Sequence, residues 1–224
     1  MAHENLMENF FSSCANDSRA SQIVQDISNR KLHDHLKIIL SDECILRDVA
    51  GRSYRHQLGF VKLVLHSDHG DPSLRLHVWD KDSSKEEDIH SHCAEFVSRV
   101  VFGRLDEITY TLDKGNDFVC FGYHFDSISG CSVAVQKGLA SVSVHRSRTV
   151  SEGDAYHVSI CELHKVTNVL PGTVTISAWG PRNSEAVVLK TIDAQASDCT
   201  ATAGMPLSYI RKVLEEIVER LSGT

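Results

Sequence analysis

Apolar residues recur at helical spacing in the first fifty residues. The segment SRASQIVQDISNRKLHDHLKIIL carries them every three or four positions, at Ile23, Ile27, Leu32, Leu36, Ile39 and Leu40. Ser18 or Ser21 is placed to cap a helix there, because a serine hydroxyl accepts from the free N–H groups of the first turn. We therefore predict that residues 1–50 form an N-terminal helical extension.

From about Tyr54 the pattern changes to short runs in which apolar and polar residues alternate. Ten such runs follow one another: FVKLVLHS, SLRLHVWD, EFVSRVVF, DEITYTL, DFVCFGYHF, CSVAVQ, LASVSVHR, DAYHVSI, TVTISAW and EAVVLKTI. Gly, Asp, Asn and Pro separate them, and the segments LDKGND, SISG and LPGT are typical of turns. Because no helical pattern lies between the runs, residues 51–195 are predicted to form an antiparallel all-β sandwich or barrel.

A second helical stripe ends the chain. In MPLSYIRKVLEEIVERLSGT the apolar positions are Leu207, Ile210, Val213, Leu214, Ile217 and Leu221. Pro206 suits the first turn of this helix and Gly223 suits its end. Residues 196–224 are thus predicted to be a linker and a helix that packs either on the barrel or on the partner subunit of a homodimer. We expect one globular unit, with helices on both sides of the barrel.

Composition limits the partners that this chain can have. Its 224 residues are 42% hydrophobic and 24% charged, as in ordinary soluble domains, and the formal net charge is −7. The acidic balance, without an extended basic run, predicts no nucleic-acid partner. No run approaches the roughly 20 apolar residues of a membrane span. The seven cysteines are scattered without a CxxC pair, which favours reduced thiols and a cytoplasmic location.

Two of the 13 histidines have a spacing that suits a metal site. Alternate side chains on a strand share a face, so His90 and His92 are expected to point into the barrel and to bind one ion. His33 and His35 have the same spacing within a predicted helix, where residues two apart lie on nearly opposite sides. The first pair is therefore the candidate for metal binding, and the second pair serves as an internal control.

The segment from Asp88 to Gly103 resembles the first motif of the cupin superfamily, which is HxH, three or four spacer residues, usually Glu, six more residues and Gly. The second cupin motif is a glycine turn that leads into a strand with another histidine. The segment Gly153–Val166 resembles it, with His164 at the ligand position. The resemblance covers about Ser73 to Trp179 and implies that the barrel is a double-stranded β-helix.

The usual glutamate of the first motif falls on Phe96, and Glu95 has the wrong strand parity to face the histidines. The resemblance therefore implies a site of three histidines, His90, His92 and His164, without a carboxylate ligand. In this respect the chain is most similar to the thiol dioxygenases of the cysteine dioxygenase type, which hold ferrous iron with three histidines.

The same resemblance suggests residues for substrate binding. Those enzymes keep an arginine for the substrate carboxylate upstream of the first motif, where this chain has Arg55 and His56. Tyr156 and His124 are the leading candidates for proton transfer, because they lie on runs that could line the pocket. The sequence does not choose among the remaining histidines that could reach the cavity, His66, His77, His145 and His157.

Three neutral imidazoles leave open coordination positions on a metal ion. With ferrous iron, a substrate can bind beside dioxygen. Zinc would instead hold a water and lower its pKa to about 7, and nickel or manganese would also act as Lewis acids. We expect a ferrous, O2-dependent oxygenase that acts on a small polar metabolite. Two alternatives stay open: an O2-independent isomerase, hydrolase or lyase that uses zinc, nickel or manganese, and a non-enzymatic binding or sensing module.

Overall fold

The structure is a computed structural model that describes residues 18–56, 58–67, 73–83, 87–126, 131–160, 162–181, 185–196 and 204–223. Within these ranges the helices are α1 (Ser18–Asp26), α2 (Asn29–Ser41), α3 (Glu43–Arg52) and α4 (Leu207–Ser222). The strands are β1 (Tyr54–Arg55), β2 (Val61–His66), β3 (Ser73–Val78), β4 (Ile89–His90), β5 (Phe96–Phe102), β6 (Arg104–Asp126), β7 (Cys131–Ser151), β8 (Ala155–Val158), β9 (Leu163–Thr167), β10 (Val174–Trp179) and β11 (Ala186–Lys190). None of the described helices combines the length and the apolar character that a membrane crossing requires.

Strand pairing folds the barrel as one long antiparallel ribbon. The ribbon begins at the hairpin of β6 and β7, and its next rungs are β5 with β8, β4 with β9 and β3 with β10. The rungs alternate between a sheet of order β1-β2-β3-β10-β5-β8 and a sheet of order β11-β4-β9-β6-β7. A two-stranded ribbon that winds through two facing sheets in this way is a double-stranded β-helix. The predicted fold is therefore confirmed.

The helices cover the outer face of the first sheet. Alternation along β3 directs Leu76 into the cluster that packs against α2, α3 and α4, and it directs His77 toward Trp179 in the barrel interior. The predicted stripe of α4 is buried in that same cluster, beside Leu36 of α2. The C-terminal helix therefore packs on the barrel of its own chain, and a homodimer stays a prediction.

The long hairpin differs from the prediction. The segment LDKGND was expected to be a turn, but β6 runs through it, and the register shifts between Asp113 and Phe118 absorb the extra residues as a bulge. The predicted SISG turn, residues 127–130, lies outside the described residues. The LPGT turn is confirmed, because Thr173 N donates to Leu170 O and Gly172 has a φ of +80°.

Candidate metal centre

The fold brings three histidines together from two places in the sequence. His90 ends β4, and His164 on β9 is its direct cross-strand partner. His92 lies in the segment 91–95, which carries the chain from one sheet to the other before β5 begins. The expectation that both residues of the HxH pair lie on one continuous strand is therefore wrong. The three rings nevertheless gather at one point of the barrel.

The imidazole geometry suits a single metal ion. His92 Nε2 lies 2.8 Å from His164 Nε2, and the potential ligand atoms of all three histidines lie within 4.8 Å of one another. Two imidazole nitrogens that bind one ion at about 2.1 Å and at a right angle are separated by roughly 3.0 Å. The pair formed by His92 and His164 thus has nearly the separation that an ion between them requires. His90 completes the group, with its ring centroid 4.7 Å from that of His92 and 4.8 Å from that of His164.

Hydrogen bonding fixes the orientation of His90. Its Nδ1 lies 2.8 Å from the backbone oxygen of Asp88, so Nδ1–H donates and Nε2 keeps its lone pair. The Asp88 carboxylate is in turn paired with Lys190 Nζ at 2.6 Å. A second group that orients a ligand ring is typical of protein metal sites.

Glu107 faces His164 from β6. Its carboxylate is fully buried, Oε1 lies 3.7 Å from His164 Nδ1, and Oε2 accepts a hydrogen bond of 2.6 Å from Arg148 Nε. Burial by itself raises the pKa of Glu107, but the contacts with His164 and Arg148 more than offset it, so the pKa lies below its usual value. An ionised carboxylate at this position favours the tautomer of His164 that directs a lone pair on Nε2 toward the other histidines.

The protonation states of His90 and His92 also suit metal binding. Burial, followed by the nearby His164, lowers the pKa of His90 to about 3. Burial, followed by the neighbouring imidazoles, holds the pKa of His92 well below its usual value. Both rings are therefore neutral at neutral pH, as metal ligands must be.

Aromatic rings enclose the triad on one side. Phe96 stands where cupins usually place a glutamate, and its ring stacks on Trp179 at 4.2 Å and meets the ring of His92 at 4.9 Å. The carboxylate of Glu95 lies elsewhere, 3.4 Å from His157 Nε2. The triad is thus bounded on this side by apolar surface.

The structure describes the surroundings of only one of the two proposed catalytic residues. Tyr156 is buried, and its ring lies 6.1 Å from that of Phe96, which in turn meets the rings of His92 and His164. Burial raises the pKa of Tyr156, whose hydroxyl is hydrogen-bonded with Ser98. His124 lies on β6, but its side chain is outside the described part of the structure. A role in proton transfer stays a prediction for both residues.

The two proposed substrate-binding residues differ in their surroundings. Arg55 forms two hydrogen bonds with the Asp80 carboxylate, at 3.1 and 2.5 Å, and a third with Tyr209 of α4. His56 is half-buried and stacks on Phe60 with 4.8 Å between ring centroids. Burial, followed by Lys62 and His90, lowers the pKa of His56 well below its usual value. Arg55 is thus held by structural contacts, whereas His56 lies within electrostatic range of the triad.

The remaining histidines are placed differently. Among the four that the sequence left open, His77 is buried in the barrel interior, whereas His66 and His145 are exposed and His157 is largely so. Glu107 is not among the residues predicted from the sequence, although alternation in LDEITYTL places it on one face with Leu105 and Thr109. An acidic residue at an inward-facing position of a strand is thus the feature of the sequence that could have identified Glu107.

No protein-family model and no curated protein matches the sequence. Among solved structures, a Klebsiella pneumoniae protein with a double-stranded β-helix domain is 14% identical, with 59% of this chain and 85% of that chain covered and a TM-score of 0.34. An RmlC-like cupin from Shewanella frigidimarina is 18% identical, with 59% and 86% covered and a TM-score of 0.32.

A third solved structure, hydroquinone 1,2-dioxygenase from Sphingomonas sp. TTNP3, is 6% identical, with 62% of this chain and 71% of that chain covered and a TM-score of 0.33. All three TM-scores lie below 0.5. The assignment of the fold as a double-stranded β-helix therefore rests on the strand pairing of this chain alone.

Proposed function

We propose that this protein is a mononuclear metal-dependent oxygenase of the cupin type, which holds ferrous iron with His90, His92 and His164 and uses O2 to oxidise a small polar metabolite. The observation that carries the proposal is the 2.8 Å separation of His92 Nε2 and His164 Nε2 beside His90 within the barrel. Ferrous iron supplies the dioxygen chemistry that protein side chains lack.

The side chains around the triad support this role. The Asp88 carbonyl and the Glu107 carboxylate orient His90 and His164 so that their Nε2 atoms converge. Phe96 and Trp179 exclude water from one side of the site, which strengthens electrostatic interactions within it. Because the three histidines are neutral ligands, the bound ion keeps its full positive charge and favours a substrate with an anionic donor.

The proposal includes a cytoplasmic location, for which the scattered cysteines are the support. The resemblance of the sequence to thiol dioxygenases enters as the choice of substrates to test first, namely thiols and amino acids.

Metal analysis and oxygen uptake test the proposal together. Protein purified without added metal should contain iron, and after reconstitution with ferrous iron it should consume O2 when a suitable thiol or amino acid is added. His92→Ala should lose both properties. Zinc, nickel or manganese at full occupancy without oxygen uptake would instead support Lewis-acid catalysis. Protein that binds no metal would leave a binding or sensing module.

A further inference from the structure

The wall formed by β2, β3 and β10 carries polar side chains toward the barrel interior. Lys62, His77 and Thr175 are direct cross-strand neighbours, in this order, on the three strands. The residues on either side of them in sequence, such as Leu63, Leu76 and Ile176, face the helices instead and are buried there. One face of this sheet therefore packs against helices, and the other gives the interior a row of hydrogen-bond donors.

Two cations of this wall lie over the indole ring of Trp179, which also contacts one of the candidate metal ligands. Lys62 Nζ lies 5.1 Å and Arg75 Cζ lies 4.2 Å from the Trp179 ring. The His92 ring meets the same indole at 5.0 Å. Trp179 thus lies between a positively charged wall and one of the candidate metal ligands.

Two buried polar atoms of the wall have unused hydrogen-bonding capacity. Within the described part of the chain, neither His77 Nε2 nor Thr175 Oγ1 has a hydrogen-bond partner, although His77 is only 7% exposed and Thr175 is fully buried. Leaving such a buried group without a partner is unfavourable. Burial, followed by the charges of Lys62 and Arg75, holds the pKa of His77 well below its usual value, so its ring is neutral and one nitrogen can donate.

We infer that Lys62, Arg75, His77 and Thr175 bind the carboxylate of a substrate whose second donor group coordinates the metal ion. A carboxylate accepts several hydrogen bonds, and this wall offers an ammonium, a guanidinium, an imidazole N–H and a hydroxyl. The substrate class is therefore a small carboxylic acid with an additional hydroxyl, amino or thiol group. The inference rests on the proposed function, because it places the second half of the substrate beside the same metal.

Cobalt-loaded full-length protein allows metal binding and acid binding to be measured separately. Co2+ gives a visible spectrum that reports on its ligands, and L-lactate is a carboxylic acid with a second donor. Propane-1,2-diol is the matched neutral probe, because it offers the same hydroxyl without the carboxylate. Wild-type protein should bind one Co2+ and should bind L-lactate at least about tenfold more tightly than the diol.

Lys62→Met tests the wall while it keeps the buried apolar stem of the side chain. This variant should bind Co2+ as wild type does but should bind L-lactate at least about tenfold more weakly. Thr175→Val, which removes a hydroxyl at nearly constant shape, should weaken L-lactate binding by a few-fold. Lys212→Met is the control, because Lys212 is exposed on α4 and pairs there with Glu216.

The outcomes are distinguishable. Loss of lactate affinity in the Lys62 and Thr175 variants, with Co2+ binding intact, supports the inference. Equal affinity for lactate and for the diol, equal lactate affinity in wild type and Lys62→Met, or no lactate binding at millimolar concentration overturns it and leaves the metal site standing. If wild-type protein binds no Co2+, the proposed function fails, and the substrate assignment fails with it.

Discussion

Glu107 Oε1 lies 3.7 Å from His164 Nδ1, while the other oxygen of the same carboxylate is held by Arg148. A carboxylate at this position favours the tautomer of His164 that carries its proton on Nδ1. Because His164 is a candidate metal ligand, the buried pair of Glu107 and Arg148 is expected to affect the affinity of the site for a metal ion.

Glu107→Gln should weaken metal binding by about 10–100-fold without unfolding the protein. The amide oxygen can still accept from Arg148, which turns the amide N–H2 toward His164 Nδ1. That contact favours the tautomer with its proton on Nε2, where the metal must bind. A competition titration with a coloured zinc chelator measures the affinity. Asp106→Asn is the control, because the Asp106 carboxylate bonds to Thr149 and Asn168 on the exposed side of β6. Equal affinities in both variants would exclude a positioning role for Glu107.

Glu87 should make the metal-free protein less stable as the pH rises. Burial raises the pKa of its carboxyl to about 8, although Oε2 accepts a hydrogen bond from Val166 N. The folded state therefore binds a proton more tightly than the unfolded state, whose pKa is near 4.5. The contribution of Glu87 to the free energy of unfolding is therefore most favourable at low pH, and it falls between about pH 4.5 and pH 8.

Glu87→Gln removes this titration and keeps an acceptor for Val166. Urea unfolding should show the variant about 2–4 kcal/mol more stable than wild type at pH 8.5, since each unit of pKa shift corresponds to about 1.4 kcal/mol. The difference should shrink as the pH is lowered to 5. Glu152→Gln, on an exposed turn, should change little. A difference that does not depend on pH would show that Glu87 is not protonated in the folded protein.

The contact between Arg55 and Asp80 should contribute to stability more than to ligand binding. Asp80 accepts hydrogen bonds from Arg55 and from Tyr209, and it thereby ties α4 to the barrel. Although burial alone raises the pKa of Asp80, the bonds from Arg55, Tyr209 and Ser83 hold it well below its usual value. Its stabilisation is therefore present above the unfolded-state pKa of about 3.8 and is lost as the pH falls below it.

Asp80→Asn should lower the free energy of unfolding by about 1–3 kcal/mol at pH 7, and by less at pH 3. Thermal unfolding at both pH values measures the effect. Asp82→Asn, at the exposed neighbouring position, provides the comparison. An unchanged unfolding temperature in Asp80→Asn at pH 7 would show that this contact does not hold α4 in place.

Local patterns in the sequence predicted the parts of the site that depend on strand parity. In the run DAYHVSI, Tyr156 and Val158 are buried and His157 is mostly exposed, as the alternation along a strand requires. The two cupin-like motifs led to three histidines that the fold does bring together. The first of these features follows from periodicity, whereas the ligand set followed from the resemblance of the two motifs to the cupin superfamily.

The rest depends on contacts between distant segments. Asp80 reaches Arg55 across 25 residues, and Glu107 meets His164 only because β6 pairs with β9. The bulge after Asp113 also has no distinct pattern, since a glycine with polar neighbours is equally typical of a turn. The sequence therefore predicted the candidate ligands, whereas the groups that orient them required the strand pairing.

The central claim is that three imidazoles form one metal site, and a calorimetric titration of metal-free protein with Co2+ tests it most directly. Wild type and His35→Ala should each bind one equivalent, because His35 lies on α2, outside the candidate site, whereas His92→Ala should lose stoichiometric binding. Retention of one tightly bound equivalent in His92→Ala, or an equal loss in both variants, would contradict the account.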